Sequence, residues 1–168
     1  MNPQFVMVIG GAGSGKNYYI GRHPTYRSYK LLDVDEFRAT SERSISNITP
    51  ALKSALSTGV NIAHPATGAG SIQAILNKLK MAKDAGYETT LVFIDTPPEQ
   101  AAKNVEKRAA GGGHSVPEWK IEKTNEMSRL NYEAVKDNPL VDRTEIVQSG
   151  VQTENLRELI RLTIKTIF

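Results

Sequence analysis

The run Gly10-Gly11-Ala12-Gly13-Ser14-Gly15-Lys16-Asn17 has the spacing G-x-x-x-x-G-K of a phosphate-binding loop. Glycines at such positions let successive backbone N–H groups turn inward around phosphate oxygens. A helix opening near Gly15 aims the positive end of its dipole at the same anion, and Lys16 reaches the β- and γ-phosphates. All eight residues are therefore candidate nucleotide ligands. The eighth is unusual, because the pattern ends in Ser or Thr, whose hydroxyl ligates Mg²⁺. An amide oxygen is a hard neutral ligand that Mg²⁺ accepts, which makes Asn17 the candidate metal residue. A loop that binds nucleotide without turning it over is the other reading of the same substitution.

A second constellation is Asp33-Val34-Asp35-Glu36-Phe37-Arg38. Carboxylates at the C-terminal edge of a strand stand where open α/β sheets hold ligands. One placed there can accept the proton of an attacking hydroxyl. Asp33 and Asp35 share a face if the strand continues through them. Asp35 alternatively caps a helix beginning at Glu36, and capping does not exclude catalysis. His64 follows a strand-like run and reads as structural. Trp119, the single tryptophan, reads as packing, with base stacking as the alternative. Of Tyr18 and Tyr19, one is expected in the core and the other at the nucleotide.

These residues need a scaffold. Phe5–Ile9 is a continuous apolar run, as in a strand covered on both faces. Residues Lys30–Val34, Val60–Ala63, Thr89–Ile94 and Thr144–Val147 are further strand candidates. Helical spacing puts Ile72, Ile75, Leu76, Leu79 and Ala82 on one face, closed by Gly86. Pro98 opens a helix running to about Ala110, before Gly111–Gly113 break it. Pro117 opens a longer one with Ile121, Met127, Leu130 and Ala134 inward, and Thr153 caps a last helix whose apolar stripe docks on the core, with partner binding as the alternative. Alternating strands and helices predict an α/β fold with a mainly parallel sheet.

The chain has 168 residues, no cysteine and a net charge of +3, so thiolate chemistry and disulfides are excluded. The length suits one domain, 1–168. No apolar run approaches the roughly 18 residues of a membrane span, and no signal-peptide pattern opens the chain, so a cytoplasmic address is expected. The charge is too mild to argue for nucleic acid by itself. Its distribution is lopsided: residues 1–32 hold Lys16, Arg22, Arg27 and Lys30 and no acid, which suits an anionic ligand.

The phosphate loop, the D-x-D-E-F-R run, Gly86-Tyr87-Glu88-Thr89 before a strand, and Arg108 ahead of Gly112-Gly113-His114-Ser115-Val116-Pro117 together resemble the zeta-toxin family of P-loop kinases. The order of elements is also similar to the kinase domain of phage polynucleotide kinase. The resemblance runs from about Phe5 to Val135. It implies a three-layer P-loop NTPase-type kinase fold with a helical lid, about 108–135, and ATP (or GTP) with Mg²⁺ as donor and metal. It also implies roles: Lys16 on the terminal phosphates, Asp35 as general base, Arg38 and Thr67 toward the acceptor. Arg108 would be a lid arginine stabilising the transferred phosphoryl group, and the glycines after it offer the hinge that such a lid needs. Read from its helix alone, Arg108 is a solvated arginine. His114 either braces its turn or contacts phosphate. Pro65 replaces the family's glutamate, His114 stands where the founding toxin has a second lid arginine, and Asn17 alters the loop. The expected activity is γ-phosphoryl transfer to a hydroxyl of a small nucleotide-like acceptor such as a nucleotide sugar. A polynucleotide 5′-hydroxyl, or nucleotide binding without turnover, are the alternatives.

Overall fold

The apolar runs at Phe5 and Thr89 become the two central strands of a five-stranded parallel sheet. The protein is known from a computed structural model that describes residues 1–33, 48–112 and 116–148. In chain order the described elements are β1 (Gln4–Ile9), α1 (Lys16–Arg22), a 3₁₀ turn (Tyr26–Ser28), β2 (Lys30–Leu31), α2 (Ile48–Ser57), β3 (Ile62–Ala66) and α3 (Ile72–Asp84). They continue with β4 (Glu88–Asp95), α4 (Pro98–Ala110), α5 (Glu118–Val135) and β5 (Arg143–Gln148). Strand order is β2-β3-β1-β4-β5, every pair parallel. Ile9 pairs with Ala66 on one side and Phe93 on the other, so the loops after β1, β3 and β4 leave from one edge.

Alternation along β1 explains the layers. Phe5, Met7 and Ile9 join Leu91, Phe93 and Ile62 on one face, covered by residues of α2, α3 and α5. Val6 and Val8 join Val92, Ile94 and Ala63 on the other, covered by Ile20 of α1 and by Tyr19, Tyr26 and Tyr29. Both faces are thus buried, as a parallel sheet requires. The α/β three-layer fold is that of P-loop NTPases. No described helix is long and apolar enough to cross a membrane.

Local signals set most boundaries. The Ser71 side chain accepts from Ala74 N–H at 3.1 Å and starts α3, and Gly86, at φ +87°, lets the chain leave it. Pro98 sits in the first turn of α4, where its missing N–H costs nothing.

Several expectations shift. β3 begins at Ile62 rather than Val60, which is exposed. β2 as described is only Lys30–Leu31, and Leu32 N–H still bonds Ala63 C=O. Ile72 lies at the exposed start of α3. In α5, Leu130 and Ala134 are exposed, and the buried face carries Ile121, Ser128, Asn131, Tyr132 and Val135. Trp119 is 64% exposed at the first turn of α5 and does not pack into the core. The helix expected from Thr153 lies outside the described residues.

Candidate active site

The edge where β1, β3 and β4 end opens into a cleft of about 1290 Å³. Its floor is the second half of the phosphate loop, Gly13 to Asn17. Gly13 and Gly15 have φ of +74° and +89°, the left-handed region that favours glycine. A Cβ on Gly13 would also strike the carbonyl of Ala101 in α4. The glycine pattern is therefore demanded by the loop's shape as well as by any ligand.

Four side chains from outside the loop hold it. Thr96 Oγ1 donates to Ser14 C=O at 2.8 Å, and Asn104 Nδ2 of α4 donates to Gly13 C=O at 2.8 Å. Thr124 Oγ1 accepts from Ala12 N–H at 3.0 Å, and Asn125 Nδ2 donates to Ala12 C=O at 3.2 Å. Lower on α5, the Ser128 hydroxyl bonds Thr67 C=O, and Asn131 Nδ2 donates to Gly68 and Gly70 C=O at 2.7 and 2.8 Å. One face of α5 thus ties the phosphate loop to the loop after β3. None of these positioning residues was expected. Their signal is a polar row, 124, 125, 128 and 131, at helical spacing on a face that the apolar count alone does not find.

Lys16 Nζ donates to Gly10 and Gly11 C=O at 2.8 and 3.2 Å, inside the loop's own turn. Asn17 Nδ2 donates to Asp33 Oδ2 at 2.8 Å. Asp33 is only 8% exposed. An amide held through its nitrogen presents its oxygen on the opposite side. Asn17 and Asp33 are each a hard oxygen donor of a kind that Mg²⁺ accepts, an amide oxygen turned away from its partner and a buried carboxylate. Among the described residues no group of three or more His, Asp or Glu gathers to hold an ion. Asp33 as the partner of Asn17 was not foreseen, since the two lie on different elements.

Arg108, Asn104 and Lys107 of α4 and Thr67 after β3 line the same cleft. Of the neighbouring tyrosines, Tyr19 packs on the sheet. Tyr18 is 66% exposed at the cleft, with the Arg22 guanidinium 4.5 Å above its ring. Asp35, Arg38 and His114 lie outside the described residues. Among the described lining residues Lys16, Arg22, Lys78, Lys107 and Arg108 are basic and only Asp33 is acidic. A concave site with that balance attracts a polyanion.

His64, at the centre of β3, is fully buried, as its structural reading requires. Its Nδ1 lies 2.6 Å from Leu32 C=O and its Nε2 3.0 Å from Lys78 Nζ. Burial, then the Lys78 ammonium, pushes the imidazole down to about 4. The folded protein thus rejects a proton that the unfolded chain takes near pH 6.5. This stability is present above about pH 6.5 and is lost as pH falls through about 4; it is on the order of 3 kcal/mol. Denaturant unfolding between pH 7 and pH 4 should cost wild type more than His64→Gln by about that amount. Equal losses would contradict the assignment.

Comparison with known proteins agrees with this geometry. No curated protein matches the chain. A solved structure from the PezAT toxin–antitoxin system of Streptococcus pneumoniae has a TM-score of 0.67 at 17% identity, covering 88% of this chain and 68% of that one. One from an RNA repair complex of Pnkp1, Rnl and Hen1 has a TM-score of 0.64 at 20% identity, covering 79% of this chain. The chain spans about half of that protein, 46% of its length. Shikimate kinase from Acinetobacter baumannii, in complex with shikimate, has a TM-score of 0.56 at 18% identity, covering 98% of this chain and 94% of that one. At these identities the likeness is one of fold, the fold of P-loop kinases. The sequence profile described as AAA domain matches residues 5–130, most of the chain, and to that family of P-loop proteins the chain belongs.

Proposed function

We propose that the protein transfers the γ-phosphoryl group of ATP or GTP to a hydroxyl of a small nucleotide-like acceptor such as a nucleotide sugar. The observation that carries this reading is the cleft itself: a braced phosphate loop, a paired amide and carboxylate beside it, and basic side chains from three elements around it. The likeness in fold to a kinase bound to a hydroxylated substrate supports a hydroxyl acceptor.

Residues 10 to 17 wrap the donor's phosphates with backbone N–H groups, and Lys16 exchanges its loop carbonyls for phosphate oxygens. Asn17 and Asp33 would supply oxygen ligands to Mg²⁺, which would neutralise charge on the donor's terminal phosphates. Arg108 adds positive charge from the α4 side as the phosphoryl group leaves its donor. Asp35 accepts the proton of the attacking hydroxyl, and Arg38, Thr67 and His114 position the acceptor. A polynucleotide 5′-hydroxyl is the second reading. It draws on the exposed Tyr18–Arg22 pair at the cleft, a stacking and cationic surface suited to a base and its phosphate.

Lys16→Ala tests the donor site. At an ATP–Mg²⁺ concentration about a hundredfold above Kd, wild type should gain roughly 2.7 kcal/mol of apparent stability. The variant should lose that thermal shift. A shift equal to wild type would contradict nucleotide binding in the loop. Asn17→Thr restores a hydroxyl at the metal position but breaks the bond to Asp33. ATP-dependent activity of this variant should saturate at lower Mg²⁺ concentration if the hydroxyl is the better ligand. An unchanged Mg²⁺ titration would show that the Asn17–Asp33 pair already serves as well.

A further inference from the structure

Lys78 stands apart from the other cations of the cleft. It rises from α3, the helix after β3, whereas Arg108 comes from the helix after β4. Its ammonium is fixed by His64 Nε2 at 3.0 Å. A carbonyl only accepts, so the 2.6 Å contact with Leu32 C=O puts the imidazole proton on Nδ1 and leaves a lone pair on Nε2 for Lys78. The partner that orients the ammonium is therefore neutral and leaves its charge uncancelled. Among the described residues no carboxylate forms an ion pair with Lys78. Burial of its side chain works against the charged form, and no described opposite charge is paired with it. A lysine that only filled space would need neither the oriented imidazole nor the opening into the cleft. The charge, the orientation and the access together suit a second anion, away from the one that Lys16 serves.

We propose that Lys78, positioned by His64, binds a phosphate group carried by the acceptor, in the half of the cleft formed by β3, α3 and Asp33. The proposal rests on the kinase reading above and adds to it the residue that recognises the acceptor: Lys78 takes the phosphate that such a molecule carries apart from the hydroxyl it offers. Two further N–H bonds of the ammonium remain for that group once one is given to His64. Charge-assisted bonds of this kind are the strong ones, which sets the expected effect at about tenfold or more in affinity.

The test uses AMP-PNP with Mg²⁺ to fill the donor site and inorganic phosphate as the probe, followed by calorimetry. Wild type saturated with AMP-PNP is expected to bind one further phosphate. Lys78→Met should weaken that second event about tenfold or more while leaving AMP-PNP affinity unchanged. Lys78→Arg, which keeps the charge, should retain it, and Lys78→Gln serves as a second neutral variant should Lys78→Met fail to fold. Equal phosphate affinity in wild type and the neutral variants, or no second phosphate in wild type, overturns the Lys78 assignment and leaves the kinase reading standing. Failure of wild type to bind AMP-PNP overturns the kinase reading, and this proposal with it.

Discussion

Arg108→Ala is expected to slow single-turnover phosphoryl transfer by about 10³–10⁵-fold, the range of arginines that stabilise charge on a transferring phosphoryl group. The expectation follows from position. Arg108 lies in the last turn of α4, exposed and lining the cleft, and makes no ion pair with any described residue. Two alanines later come Gly111 and Gly112, and Gly112 has φ +94°. A cation beside such a hinge can approach the phosphates as the site closes. The variant should also hold ATP less tightly, because part of the closed state's attraction is lost. It should keep its melting temperature, since no buried contact is removed. Calorimetry beside a single-turnover assay separates these effects. An unchanged transfer rate would return Arg108 to the role of a solvated helix arginine.

Asp35→Asn is expected to reduce transfer by about 10²–10⁴-fold, the usual worth of a general base. ATP affinity should be unchanged or slightly higher, because one negative charge leaves a site that receives a polyanion. The two variants thus differ in what they spare: Asp35→Asn keeps donor binding and Arg108→Ala weakens it. Asp33 brings the chain to the cleft two residues before Asp35, already committed to Asn17 by a 2.8 Å bond. On the proposed mechanism the acceptor's proton then goes to Asp35. Transfer by Asp35→Asn at the wild-type rate would reduce Asp35 to a helix cap.

What the sequence revealed was local. A continuous apolar run followed by G-x-x-x-x-G-K predicts β1, the loop and α1, because strand burial, left-handed glycines and the lysine are all set by near neighbours. Pro98, Ser71 and Gly86 mark helix ends for the same reason. What was hidden depends on partners far apart in the chain. The inner face of α5 was misread through Leu130 and Ala134 because a helix is expected to bury its apolar residues. Here Thr124, Asn125, Ser128 and Asn131 turn inward instead, since the P-loop and the loop after β3 offer carbonyls and an N–H that buried backbone must satisfy. Asn17 and Asp33, and His64 and Lys78, are likewise pairs that only the sheet order brings together.

The most direct measurement follows the label of [γ-³²P]ATP in the presence of Mg²⁺ and a set of hydroxyl acceptors, nucleotide sugars and 5′-hydroxyl oligonucleotides among them. Wild type is expected to move the label onto one acceptor class as a phosphate ester, with stoichiometric ADP, and Lys16→Ala is not. ATP bound by wild type with its label retained against every acceptor would contradict phosphoryl transfer and leave a nucleotide-binding protein without turnover.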